Sequence, residues 1–223
     1  MKSFIRNLTP RAEFHLVIAI SFGLLFFVSL WMAIRHIIHG FKPYHTTDAK
    51  QLWLVTYELA AITAVYWIGR IRGWSFAAFG LRISWKLTGA GILLLFATII
   101  VLAFQRGLFG AVGLRGNGRP IVGHLTLPVV ILITLVNPAF EEITEVGYVF
   151  HTLKRYGKWP AVFASALLRT SLHLYQGFVP ASGIMLLGMT FGLAYSRWRQ
   201  LWPLILVHMV FDFVPLLHLP NTG

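Results

Sequence analysis

Residues 137–145 read Asn137-Pro138-Ala139-Phe140-Glu141-Glu142-Ile143-Thr144-Glu145, three carboxylates set between apolar stretches. The whole chain holds only seven acidic residues in 223, so their concentration here marks the stretch as the first candidate for chemistry. An ionised carboxylate in apolar surroundings is costly unless it is paired, hydrated or protonated. Partners are therefore expected elsewhere in the chain. A polar helix end at a membrane surface is the alternative reading.

The surroundings of this stretch set the class. The chain is 57% hydrophobic and 12% charged, with a mean hydropathy of +0.72, and its apolar residues fall in blocks about as long as a bilayer is thick. These features describe an integral membrane protein. The net charge of +12 raises nucleic acid as a partner. The basic residues, however, sit in short clusters between apolar blocks, as the positive-inside rule leads one to expect, so lipids and not nucleic acid are the expected surroundings. With no cysteine there is neither a disulfide framework nor a thiolate metal site. Tryptophans near the ends of the blocks suit interfacial anchoring.

Working outward, the block that holds the carboxylates runs from about His124 to Phe150, and Pro138 is expected to break or kink it because proline removes a backbone donor. Before it lie spans near His15–Ile34, Gln51–Ile68 (with Glu58 inside it) and Leu87–Phe104. The first is too long for a signal-peptide core and has no small-residue cleavage site. Arg70 to Lys86, basic and aromatic, suits a segment lying in the interface. Gly107 to Gly118 is most simply a loop. After the carboxylates come spans near Trp159–Tyr175, Ala181–Ser196 and Leu201–Leu217, and Gly188 with Gly192 offers a small-residue face on the second of these. The expectation is an all-α polytopic protein of about seven transmembrane helices. Residues 1–123 would supply the first helices and the interfacial segment, and residues 124–217 a core.

Seven spans with the amino terminus inside leave twelve basic residues in inner segments (Lys2, Arg6, Arg11, Arg70, Arg72, Arg82, Lys86, Lys154, Arg155, Lys158, Arg197, Arg199) and six in outer ones (Arg35, Lys42, Lys50, Arg106, Arg115, Arg119). The bias favours that orientation. Arg169 is left over, inside a span. At about 1.5 Å per helical residue, Glu141, His173 and Asp212 all lie roughly 20 Å along their helices from the nearest inner basic anchor, and His208 roughly 13 Å. His208 and Asp212 share one helix face. Ionisable residues from three spans thus reach similar depths, which points to a site.

Glu141-Glu142, then Leu172-His173-Leu174-Tyr175-Gln176-Gly177, then Leu201-Trp202-Pro203 with His208-Met209-Val210-Phe211-Asp212, resemble the CPBP family of intramembrane glutamic proteases, which includes the CAAX prenyl endopeptidases and the bacterial Abi-type proteins. The resemblance covers about His124 to Leu217. It implies a helical membrane core with a conical catalytic cavity, in which the first glutamate and first histidine activate a water while the second histidine and the Asn/Asp position stabilise the oxyanion. Carried over residue by residue, Glu141 is the base and His173 its partner, Glu142 is the second motif glutamate, and His208 with Asp212 faces the scissile carbonyl. Such chemistry is reasonable from first principles, since a poorly hydrated carboxylate makes a good base and histidine can donate to developing negative charge.

Two positions depart from the motif: Val146 stands where it has arginine, and Arg169 where it has phenylalanine. Both are explained by one relocation, in which Arg169, one turn before His173, reaches across helices to Glu142 or Glu145. Asn137 and Glu145 are the remaining supporting residues.

The expected function is an intramembrane endopeptidase in a bacterial inner membrane, cutting a peptide or membrane-protein substrate near the membrane surface without a cofactor. An inactive relative acting as a membrane binding or immunity protein is the alternative that Val146 favours. A transporter or proton relay would use similar residues, but no internal repeat suggests one. A zinc peptidase with Glu141, His173 and His208 as ligands is also open, although the short HExxH spacing is lacking. The substrate and the oligomeric state are not read from the sequence.

Overall fold

The computed structural model describes residues 2–40, 42–114 and 121–220. Among them five helices are long and apolar enough to cross a membrane: α1, Pro10–His39; α2, Asp48–Arg72; α3, Trp85–Ala111; α4, Leu127–Tyr156; and, after α5, Lys158–Leu172, α6, Phe178–Trp198. A shorter apolar helix, α7, Trp202–Leu217, completes the bundle. The protein is thus an all-α polytopic membrane protein, with, among the described residues, five helices of spanning length and three shorter ones (Lys2–Arg6, α5 and α7) in place of about seven spans. Between α1 and α2 a three-residue strand β1, Tyr44–Thr46, pairs in parallel with β2, Ile121–Gly123, with Tyr44 opposite Ile121. Nothing in the hydropathy pattern signals so short a pair.

Capping chemistry sets where helices start. Thr47 and Ser84 accept hydrogen bonds from the backbone amides of Lys50 and Leu87 at the heads of α2 and α3. The helices overrun their apolar blocks. Arg35, expected in a connection, is in α1, and Gly107 and Gly110, expected in a loop, are in α3. Of the expected glycine loop, residues 115–118 lie outside the described residues, as do Arg115 and Arg119 from the charge count. The stretch from Arg70 to Lys86, expected to lie in the interface, is a helix end followed by a short turn. Arg70 and Arg72 end α2, Phe76–Phe79 form one 3-10 turn, and Phe79 is buried against Trp74 and the Gly147 backbone.

Pro138 does not break α4. The helix stays α-helical through Leu127–Glu141, and the irregularity comes just after, as a π-helical stretch over Glu142–Tyr148. There the ladder shifts toward i→i+5 pairing, and Thr144 Oγ1 donates to the Phe140 carbonyl at 2.6 Å. Every residue from Phe140 to Phe150 is buried. α4 packs on α2 and α7, and α5 packs closely on α6. That last contact depends on two glycines: a Cβ on Gly188 would stand 2.8 Å from Ala166 Cα, and one on Gly192 3.2 Å from Val162 Cα.

Because the obstacle at Gly188 is backbone, Gly188→Val is expected to force α5 and α6 apart at a cost of about 1–3 kcal/mol. Thermal unfolding in detergent should show a clear drop. An unchanged transition would mean that the α5–α6 contact does not hold the bundle together.

Candidate active site

α4 delivers its carboxylates to the middle of the bundle, and α5 meets them there with Arg169, which is 1% exposed. One guanidinium serves three acids. Arg169 Nη2 donates to Glu142 Oε1 at 2.7 Å and lies 2.8 Å from Glu145 Oε2, while Nη1 is 3.3 Å from Glu141 Oε2. The face of Phe191 sits 5.4 Å from its central carbon. A buried carboxylate without a cation would be very costly, and this arrangement supplies the only kind of cation that stays charged in such a place. The relocation read from the sequence is the arrangement found, extended to Glu141 as well. Val146, fully buried, sits among apolar core residues.

α7 brings the third element. His208 Nδ1 is 2.7 Å from Glu142 Oε1 and 3.4 Å from Arg169 Nη1. Its Nε2 is 3.9 Å from Glu141 Oε2 and 3.6 Å from Asp212 Oδ1 one turn later. With a carboxylate at 2.7 Å, Nδ1 carries a proton and donates it to Glu142. His173 ends α5, and its Nδ1 faces the Arg169 carbonyl at 2.9 Å. A carbonyl only accepts, so Nδ1–H donates there and the neutral ring keeps its lone pair on Nε2. His173 and Glu141 make no hydrogen bond to each other among the described residues, but both line one cavity of about 1300 Å³ together with Arg169, His208 and Asp212. Tyr44, Gln51, Gln176 and Leu216, at the ends of their helices and loops, line the same cavity. Glu58, on α2 two turns below Gln51, is roughly 10 Å down.

Residues 123–214 match the family model described as type II CAAX prenyl endopeptidase Rce1-like.

The match covers less than half of the chain but takes in Glu141, Glu142, Arg169, His173, His208 and Asp212. The resemblance to the CAAX proteases drawn from the sequence holds over this span, and the matching model's description names an endopeptidase. No curated protein and no solved structure matches the chain.

The sequence left one site residue unplaced. Glu58 is fully buried, and its Oε1 accepts from Asn137 Nδ2 at 2.6 Å; the same nitrogen donates to Glu141 Oε1 at 3.2 Å. The signal was available, because a lone acid inside an apolar helix is itself a functional candidate. Among the described residues no group of three His, Asp or Glu side chains is disposed to hold a metal ion.

Three carboxylates around one guanidinium leave surplus negative charge in a poorly screened place. Glu145→Gln keeps the shape and removes one charge, so its melting temperature should be unchanged or raised, by about 1 kcal/mol in stability. A loss of more than about 2 kcal/mol would mean that Arg169 needs all three charges.

Proposed function

We propose that this chain is an intramembrane endopeptidase that activates water with Glu141 and His173 and steadies the oxyanion with His208 and Asp212. The observation that carries this reading is the convergence of all four side chains on one cavity that reaches from the buried carboxylates to the helix ends. In the proposed step, a water held between Glu141 and His173 loses a proton to Glu141 as its oxygen attacks the scissile carbonyl. The proton then passes to the leaving amine. Glu142 fixes the His208 ring through Nδ1, so an imidazolium at His208 presents its Nε2–H to the developing oxyanion. Asp212, whose Oδ1 is 3.6 Å from that nitrogen, orients it.

No cofactor is assigned. The zinc reading would need Glu141, His173 and His208 to share an ion, yet Arg169 Nη1 lies within 3.4 Å of both Glu141 and His208. A guanidinium there would repel a dication, which supports the metal-independent mechanism.

The proposed setting is a bacterial cytoplasmic membrane with the amino terminus inside, supported by the excess of basic residues at the bundle end opposite the cavity mouth. The substrate would be a peptide or membrane protein entering from that mouth. The division into residues 1–123 and a core at 124–217 is retained as a description of the motif's extent. Ser29, Glu58 and Gln105 from the first part line the same cavity, which supports one membrane domain. One observation favours the inactive-relative alternative: Arg169 contacts the proposed base directly, and a cation on a base competes with the proton it must accept.

Glu141→Gln keeps the shape and removes the base, so peptide hydrolysis in proteoliposomes should fall by about 10²–10⁴ while abundance and insertion hold. His173→Ala should do the same. Turnover should survive a chelator; loss to the chelator with recovery on Zn²⁺ would replace this mechanism with the three-ligand one. Binding of a peptide without any cleavage, equal in native and Glu141→Gln chains, would establish the inactive relative.

A further inference from the structure

Glu58 lies outside the span matched by the family model and outside every motif position, yet it faces the same cavity as Glu141. It is completely buried, its Oε1 is held at 2.6 Å by Asn137, and its Oε2 has no hydrogen-bond partner among the described residues. As a stabilising element it is a poor choice. An apolar residue of similar volume would avoid the cost of burying a half-satisfied carboxyl.

The geometry explains what such a residue does. A single nitrogen, Asn137 Nδ2, stands 2.6 Å from Glu58 Oε1 and 3.2 Å from Glu141 Oε1. A primary amide has two N–H donors on that nitrogen and only acceptors on the oxygen at its other end. Turned the other way, the Asn137 oxygen would meet two carboxylate oxygens with no donor between them. Glu58 therefore reinforces the amide orientation that Glu141 itself requires and, through the shorter of the two bonds, holds Asn137 in place. Asn137 in turn occupies Glu141 Oε1, and the other oxygen, Oε2, faces Arg169 and His208 at 3.3 and 3.9 Å.

We propose that Glu58 is a positioning residue of this site: through Asn137 it locks the rotation of the Glu141 carboxylate and so fixes which of its oxygens meets the reacting water. The proposal rests on the reading of Glu141 as the base. Its demand on position 58 is a hydrogen-bond acceptor, not a charge. Glu58→Gln satisfies that demand, because the glutamine carbonyl can take the Asn137 donor; Glu58→Leu does not.

Two readouts on the full chain in proteoliposomes test this. The first is hydrolysis of the fluorogenic library peptide that the native chain cleaves fastest. Glu58→Leu should lower kcat by about tenfold or more with KM unchanged, because a misoriented base loses alignment and not binding. Glu58→Gln should stay near native. Asn137→Leu should match Glu58→Leu, and the double variant should be no worse than either, since both cut one linkage. The second readout needs no turnover: labelling of Glu141 by dicyclohexylcarbodiimide, mapped by peptide mass, should quicken severalfold in Glu58→Leu and Asn137→Leu and not in Glu58→Gln. Glu58→Leu should not melt below the native chain, whereas Asn137→Leu leaves the buried Glu58 carboxyl without its donor and should melt lower.

Native kcat and native labelling in Glu58→Leu would overturn the proposal, as would additive losses in the double variant. If Glu58→Leu fails to fold, Asn137→Leu interrupts the same linkage from the other side and the same outcomes apply. Glu141→Gln serves as the control that separates the two claims. Full turnover in Glu141→Gln removes the peptidase mechanism. An inactive Glu141→Gln beside an unaffected Glu58→Leu removes only the positioning role.

Discussion

The guanidinium of Arg169 is the constraint on which the rest depends. Three carboxylates on one stretch of α4 are buried in the bundle, and the cation that makes this tolerable comes from α5. For Arg169 to reach them, α5 has to lie against the π-helical part of α4, and α6 has to cover α5 closely. Gly188 and Gly192 permit that covering, and Phe191 between them offers its ring face to the guanidinium. Small residues on one helix thus position a charge on the next, and that charge permits acids on a third. In lipid, where association gains little from the hydrophobic effect, such packing and polar contacts are what hold helices in register.

The same contacts determine the chemistry available. Five carboxylates (Glu58, Glu141, Glu142, Glu145 and Asp212) gather with one arginine and two histidines in and around one cavity. Even with both histidines charged, the cations number fewer than the acids, so the cluster carries surplus negative charge. Such a site is suited to hydrolysis, in which a carboxylate takes a proton from water and passes it to a leaving amine. Three of the proposed reacting side chains also have a hydrogen-bond assignment of their own. Glu142 and the Arg169 carbonyl fix the two histidine rings, and Asn137 fixes Glu141, so little reorganisation is left for the moment of reaction.

Much of this was legible in the sequence. Apolar block length revealed the helices, and the ordered glutamate and histidine motifs marked α4, α5 and α7. The absence of arginine at Val146, read together with the leftover Arg169, pointed to the cross-helix pairing. The misses have physical causes. Helix ends were drawn too short because block length measures hydrocarbon thickness, whereas α1 and α2 continue through polar ends closed by Thr9, Thr47 and Gly73. Gly107 and Gly110 looked like loop residues, but both lie inside α3. Pro138 was expected to break or kink α4; the helix is not broken there, and the irregular stretch follows at Glu142–Tyr148. The pairing of Tyr44–Thr46 with Ile121–Gly123 and the link from Glu58 to Glu141 join residues far apart in the chain, and no local pattern encodes either.

If Arg169 has taken over the role of the motif arginine, returning the charge to α4 should relieve its loss from α5. Position 146 is one turn after Glu142, within reach of it on the same helix face. The decisive measurement is thermal unfolding of purified Arg169→Phe compared with Arg169→Phe/Val146→Arg. The single variant strands the carboxylates and should lose on the order of 3 kcal/mol; the double variant should regain most of that loss. A single variant as stable as the native chain, or a double variant no better than the single, would contradict the account.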